Sequence, residues 1–171
     1  MALIKKFRIR SYKTTDPIVE LKNISVFYNK RQIIDNLNLQ INKQEILGLL
    51  GPNGVGKSTI FNLITGLKDP NYGDVFIDGI KSTKLPINER FTKFRLGFVP
   101  QYGGLIQDLN LMDNLKLVAE IHIKERELRE QKINKLITQF EFESLLRIKT
   151  KNLSGGQKKK LVIAMALVND P

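Results

Sequence analysis

The chain contains no cysteine and no tryptophan, and its one histidine is His122. These absences exclude a disulfide framework, a cysteine-ligated zinc site, thiol catalysis and a metal-binding histidine cluster. Long apolar runs are also missing. The longest, such as Ile46 to Leu50 and Leu161 to Ala166, fall far short of the roughly 20 residues a helix needs to cross a bilayer. The segment from Met1 to Asp16 is basic (Lys5, Lys6, Arg8, Arg10, Lys13), but it lacks the apolar stretch of about 7–15 residues found in a secretory signal. It reads as a cytoplasmic N-terminal extension. Repeats and low-complexity stretches are absent.

What is present suits one folding unit, with 171 residues of which 42% are hydrophobic and 26% charged. The formal charge of +11 is compatible with nucleic acid, with an anionic membrane surface, or with a lysine-rich proteome. Because the charges are scattered and not banded on one element, the last reading is preferred and no nucleic-acid partner is expected.

Residues Ile18 to Tyr28 and Ile33 to Ile41 carry partial period-two alternation, and Asp74 to Asp78 resembles them, so three half-buried antiparallel strands are predicted. Glu45 to Leu50 is almost continuously apolar, which predicts a central strand covered on both faces. Ser58 to Thr65 reads as a helix stopped by Gly66, and Leu96 to Val99 as a short strand ended by Pro100. Asn110, with Asp113 three positions on, is placed to cap a helix carrying Leu115, Val118, Ala119 and Ile121. Between Lys124 and Leu146, a second helical stretch places Ile133, Leu136, Ile137 and Phe140 on one face. Ser154 and Gln157 form the S-x-x-Q pattern of a capping box ahead of an apolar helix over Leu161 to Val168.

Gly51-Pro52-Asn53-Gly54-Val55-Gly56-Lys57-Ser58 matches G-x-x-x-x-G-K-[ST], and Thr59 follows it. The motif sits between a predicted strand and a predicted helix, the context that gives the pattern meaning. Its glycines let backbone N–H groups turn inward toward phosphate oxygens, and the helix that follows adds its positive end. In this chemistry Lys57 reaches the β- and γ-phosphates and the Ser58 hydroxyl ligates Mg²⁺. Downstream lies Leu153-Ser154-Gly155-Gly156-Gln157, which taken alone is also compatible with a loop and a helix cap.

Together the two motifs resemble the Walker A and LSGGQ signature of the ABC ATPases, and the resemblance extends from about Ile18 to the last residue. It implies an α/β P-loop NTPase fold with an antiparallel β subdomain, a helical subdomain over about 102–153 and an incomplete core sheet. The domain would cover residues 17–171, after an extension over 1–16. It also implies a head-to-tail pair of subunits, with ATP on one phosphate loop covered by Ser154, Gly155, Gly156 and Gln157 of the other. Tyr28 matches the aromatic residue that stacks on adenine, although edge packing is an equal reading of a lone tyrosine. Gln101, after Phe98-Val99-Pro100, matches the Q-loop glutamine that touches Mg²⁺ or the attacking water. ATP and Mg²⁺ are the implied cofactors. The implied partners are a second ATPase subunit and membrane permease subunits docking near Gln101 to Leu115, at the cytoplasmic face of a bacterial inner membrane.

The family's later motifs, an apolar strand ending in Asp-Glu, a D-loop and a switch histidine, find no match before Pro171. Val75-Phe76-Ile77-Asp78 ends in Asp, but Gly79 follows it, and His122 precedes the signature. The sequence is therefore expected to be C-terminally incomplete. Without a positioned carboxylate, general-base help worth about 10²–10⁴-fold would be lost and turnover would be slow or absent. The signature helix also departs from the family: Lys158-Lys159-Lys160 and Met165 stand where arginines are common, which puts bidentate ion pairing in doubt.

The stretch from Lys84 to Asn114 resembles the ATPase of the lipopolysaccharide export system, with the branched-chain amino-acid importer ATPase as the alternative. DNA-repair and chromosome-organising ATPases share both motifs but carry long coiled-coil insertions, and the heptads these need are missing. A reading from another class is a non-catalytic ATP-binding adaptor.

Overall fold

The computed structural model describes residues 5–10 by their backbone and residues 16–171 in full. They divide into two compact units, 1–94 and 95–171, where composition alone had suggested one.

The first unit is built on antiparallel pairing. Strands β2 (Pro17–Tyr28), β3 (Arg31–Asn42), β5 (Tyr72–Ile77) and β6 (Ile80–Lys81) form a sheet in the order β3-β2-β5-β6. The imperfect alternation of β2 has a structural cause. Val19 and Leu21 are buried, then Ile24 and Val26, so the buried face changes parity across a bulge between Leu21 and Ile24. At that bulge Asn23 takes a left-handed φ of 52°, and its side-chain oxygen accepts from Asn38 Nδ2 at 3.2 Å while its N–H donates to Asn38 Oδ1 at 3.0 Å. Gly73 on β5 lies against the same kink. A Cβ there would stand 2.4 Å from the carbonyl oxygens of Lys22 and Asn23, so no other residue fits.

Strand β4 (Ile46–Leu50) corrects the expectation of a central strand buried on both faces. It pairs antiparallel with β1 (Lys5–Arg10) in a separate two-stranded sheet, and Ile46 and Leu50 are more than half exposed. Apolar composition allows burial, but the neighbours decide it, and among the described residues β4 has one strand beside it. Six residues of the expected basic extension thus belong to a ladder; residues 1–4 and 11–15 of it lie outside the described residues. No parallel strand pair occurs among the described residues.

Helix α1 (Lys57–Thr65) follows the glycine-rich loop and lies against β5 and α2 (Ile87–Lys93), with Ile60 and Leu63 fully buried. Its C-terminus is held by Arg90 of α2, a guanidinium with no exposed surface. Arg90 Nη1 donates to the carbonyls of Leu63 at 2.6 Å and Ile64 at 3.1 Å. Nη2 donates to Thr83 at 3.1 Å and Nε to Leu85 at 3.0 Å. Burial pulls the guanidinium pKa below its ordinary value, with Asp69 opposing. A rigid planar fork satisfies four carbonyls from two segments at once, which a lysine cannot do.

The second unit is helical: α3 (Leu111–His122), α4 (Arg126–Phe140), a 3₁₀ turn (Thr150–Asn152) and α5 (Gly155–Ala166). Leu111, Leu115 and Ala119 from α3, Ile133, Leu136 and Ile137 from α4, and Leu161 and Ala164 from α5 share one core with Phe142 and Leu153. The expected cap of α3 is present, with Asp113 N–H donating to Asn110 Oδ1 at 2.8 Å. The expected strand over Leu96 to Val99 is not formed, because no described strand lies alongside to share its backbone bonds. No described helix is long and apolar enough to cross a membrane.

Replacing Arg90 by Met should destabilise the first unit by roughly 2–4 kcal/mol, since buried carbonyls lose their donors at about 1–3 kcal/mol each and water recovers part of that. Phe142→Ala in the second core should cost about 3–5 kcal/mol. Urea unfolding midpoints measure both, and an Arg90→Met midpoint equal to wild type would show that the fork is dispensable.

Candidate functional site

The phosphate-loop pattern folds as a loop leading into a helix start. Gly56 is the N-cap of α1, at a φ of 104°, with Ile33 Cγ2 and Ile34 Cγ1 at 3.2 and 3.3 Å from where a Cβ would be. A side chain at this position would be both conformationally strained and crowded. As a glycine, the N-cap also offers no side-chain acceptor to the first turn of the helix. The consequence is a row of free donors. The N–H groups of Gly54, Gly56, Lys57, Ser58 and Thr59 donate to no acceptor among the described residues, while that of Val55 closes a turn onto the Pro52 carbonyl at 3.4 Å. These groups and the positive end of the α1 dipole make an anion-binding surface of main-chain atoms.

Lys57 lies over this loop. Its Nζ donates to the carbonyls of Gly51 at 2.6 Å and Pro52 at 2.8 Å. The Ser58 hydroxyl, one residue on, has no hydrogen-bond partner among the described residues. The free amides and the ammonium suit a polyphosphate, and the Ser58 hydroxyl could add one oxygen ligand to a hard cation whose other ligands the polyphosphate and water would supply.

Tyr28 is the last residue of β2. It precedes a two-residue hairpin turn, Asn29 and Lys30, whose φ values of 45° and 67° are those of a type I′ turn. Tyr28 is 43% exposed, and Lys68 Nζ lies 4.3 Å from the centroid of its ring. Neither Lys68 nor the hairpin signal had been drawn from the sequence, although Asn29 before Lys30 between two apolar runs is a visible turn signature.

In the second unit, Gln101 is exposed and donates through Nε2 to Tyr102 Oη at 3.2 Å. It lines a cavity of about 370 Å³ together with Thr150, Gly155, Lys158 and Val162. Fold therefore brings the expected Q-loop glutamine next to the start of the signature helix. That helix begins earlier than its apolar residues suggested, at Gly155. Its cap is the expected box: Ser154 Oγ accepts from Gln157 N–H at 3.2 Å and Gln157 Oε1 accepts from Ser154 N–H at 2.8 Å. Gly155 and Gly156, at the first two helical positions, have open space where a Cβ would go.

Two residues that no motif pointed to fix this loop. The buried amide of Asn114 accepts from Ile106 N–H at 2.9 Å and donates to the carbonyls of Ile106 and Asn110. Thr150, also buried, donates through Oγ1 to Ile106 O at 2.8 Å, and its N–H donates to Leu109 O at 2.9 Å. The stretch after Gln101 and the stretch before Ser154 are thereby tied to each other. As for the lysines after the signature, Lys158 donates to Lys151 O at 3.0 Å, and Lys160 faces Glu141 at 3.9 Å with both side chains exposed. His122 ends α3.

Comparison with known proteins bears on the family. The family model described as ABC transporter matches residues 34–171. The lipopolysaccharide export system ATP-binding protein LptB of Escherichia coli is 34% identical over 151 residues, covering 88% of this chain and 62% of that protein. The Nod factor export ATP-binding protein I of Sinorhizobium fredii is 35% identical over 162 residues, covering 94% of this chain and 46% of that protein. The chain thus spans about half to three fifths of the length of these curated relatives. Among solved structures, the dimeric post-hydrolysis state of the ATP-binding cassette MJ0796 with ADP and Pi superposes with a TM-score of 0.75 at 32% identity, over 90% of this chain and 70% of that one. The cassette MJ1267 gives 0.79 at 25% identity, over 92% and 67%. With a family model matched over residues 34–171, most of its length, the chain belongs to the ATP-binding cassettes of the ABC transporters.

Proposed function

We propose that this chain is the nucleotide-binding part of an ABC transporter subunit that grips Mg·ATP through residues 51–59 and serves export, with lipopolysaccharide as the cargo class. The observation that carries the nucleotide assignment is the set of unpaired N–H groups at the start of α1, roofed by the Lys57 ammonium. A triphosphate tail offers this surface the acceptors that the protein does not. Lys57 leaves the carbonyls of Gly51 and Pro52 for β- and γ-phosphate oxygens, exchanging neutral acceptors for charged ones and so strengthening each bond. Ser58 Oγ and Gln101 Oε1 are the oxygens that would hold Mg²⁺, which supplies charge neutralisation across the phosphates. The Tyr28 ring would stack on adenine.

The signature helix works on a different nucleotide. Ser154 Oγ uses a lone pair on Gln157 N–H and keeps its own proton to donate, and the N–H groups of Gly155 and Gly156 lie at a positive helix end. Those groups would close over the γ-phosphate held by a second copy, arranged head to tail. Gln101 would orient the attacking water when the pair closes. Permease subunits would dock along Gln101 to Leu115, which places the assembly on the inner face of a bacterial inner membrane. The export reading draws on the 34% and 35% identities to two exporters' ATP-binding proteins and on the segment from Lys84 to Asn114.

Lys57→Ala should weaken ATP binding at least about tenfold in calorimetric titration, the loss of about 1.5–3 kcal/mol in hydrogen bonds to a charged group. Unchanged affinity would remove the basis of the nucleotide assignment. Gly155→Glu places a carboxylate where a partner's γ-phosphate must approach, in a position with room for a side chain. It should leave ATP binding by one copy intact and abolish ATP-dependent pairing in sedimentation velocity; pairing that persists would count against the signature's role.

A further inference from the structure

Lys68 lies just beyond the C-terminus of α1. Its N–H donates to the Asn62 carbonyl at 3.1 Å, the same oxygen that accepts from Gly66 N–H at 3.0 Å, so its backbone is tied to the last turn of the phosphate-loop helix. From there its ammonium reaches over the Tyr28 ring, 4.3 Å from the centroid. Both ends of this contact are anchored. Asn71 N–H donates to Ser25 O at 3.0 Å, Phe27 N–H donates to Asn71 Oδ1 at 2.8 Å, and the rings of Phe27 and Tyr72 meet edge to face at 6.4 Å. The loop leaving α1 is thus stitched to the end of β2, where Tyr28 sits. No carboxylate among the described residues pairs with Lys68, so the ring is the ammonium's one specific contact there.

We propose that Lys68 is a positioning residue for the nucleotide base: its ammonium covers one face of Tyr28 and holds the ring with the other face open to adenine. This rests on the reading of Tyr28 as the base-stacking residue. An exposed aromatic at a strand end otherwise rotates among its staggered χ1 wells, and a base that stacks on it must restrict that motion. A cation already seated on one face removes part of that cost. α1 then serves the nucleotide at both ends, with the phosphate amides at its start and the ring clamp just past its end.

The test is calorimetric titration of the chain with Mg·ATP and, separately, with magnesium and inorganic tripolyphosphate, which has the charges but no base. Lys68→Met, which keeps the stem and removes the charge, should weaken ATP binding about two- to fivefold and leave tripolyphosphate binding unchanged. Lys68→Arg should restore wild-type affinity, and Lys68→Met should have no further effect in a Tyr28→Leu background. Equal weakening of ATP and tripolyphosphate would mean that Lys68 acts as a plain charge and would overturn the proposal. So would a normal ATP affinity in Lys68→Met when Tyr28→Leu is impaired. If Tyr28→Leu itself binds ATP normally, the stacking assignment falls and the proposal with it. If the unaltered chain binds neither ligand, the phosphate-loop reading fails first.

Discussion

A helix begins with N–H groups that its own backbone cannot satisfy, and α1 leaves them unsatisfied. Its N-cap is Gly56, which brings no acceptor, and the N–H groups of Gly54, Gly56, Lys57, Ser58 and Thr59 find none among the described residues. Such a start is unfavourable unless the helix is secured elsewhere. Here the security comes from the opposite end. Arg90 supplies donors to Leu63 and Ile64, the Asn62 carbonyl takes the N–H groups of Gly66 and Lys68, and Ile60 and Leu63 are buried beneath. One end of the helix is closed inside the protein so that the other can remain open to a ligand.

The second helix start follows another solution. α5 is capped by Ser154 and Gln157 in a reciprocal box, which satisfies Gln157 N–H and Ser154 N–H without a ligand. What remains free is the Ser154 proton and the two glycine amides. On the proposed function, the loop before α1 would hold its anion alone, whereas the start of α5 would have to stay ordered until a second copy brings a nucleotide to it. The capping box provides that order, and the ties that Asn114 and Thr150 make to residues 106–110 extend it to the approaching loop.

Much of this was legible in the residues. Glycine spacing announced the phosphate loop, and S-x-x-Q announced the box, because both depend on neighbours within one turn. Helical faces were legible for the same reason: Ile133, Leu136 and Ile137 are buried as their spacing implies. Less visible were features made by distant segments. The parity change in β2 blurred its alternation because the Asn23 bulge is held by Asn38 on β3 and by the close approach of Gly73 on β5. Arg90 looked like one charge among many, and its burial follows from the carbonyls that the end of α1 and the loop before α2 turn toward it.

By itself, then, the amino-acid order determined the local chemistry: where backbone amides face inward, which hydroxyl and ammonium stand beside them, where helices start, and from these the family. The tertiary structure alone decided which apolar strand is covered, that β1 pairs with β4, that residues 96–99 form no ladder, and that Lys68 comes to rest on Tyr28. The physical reason is range. Caps and phosphate loops are satisfied by atoms a few residues apart, while strand pairing, burial and cation–π contacts take their free energy from partners far along the chain.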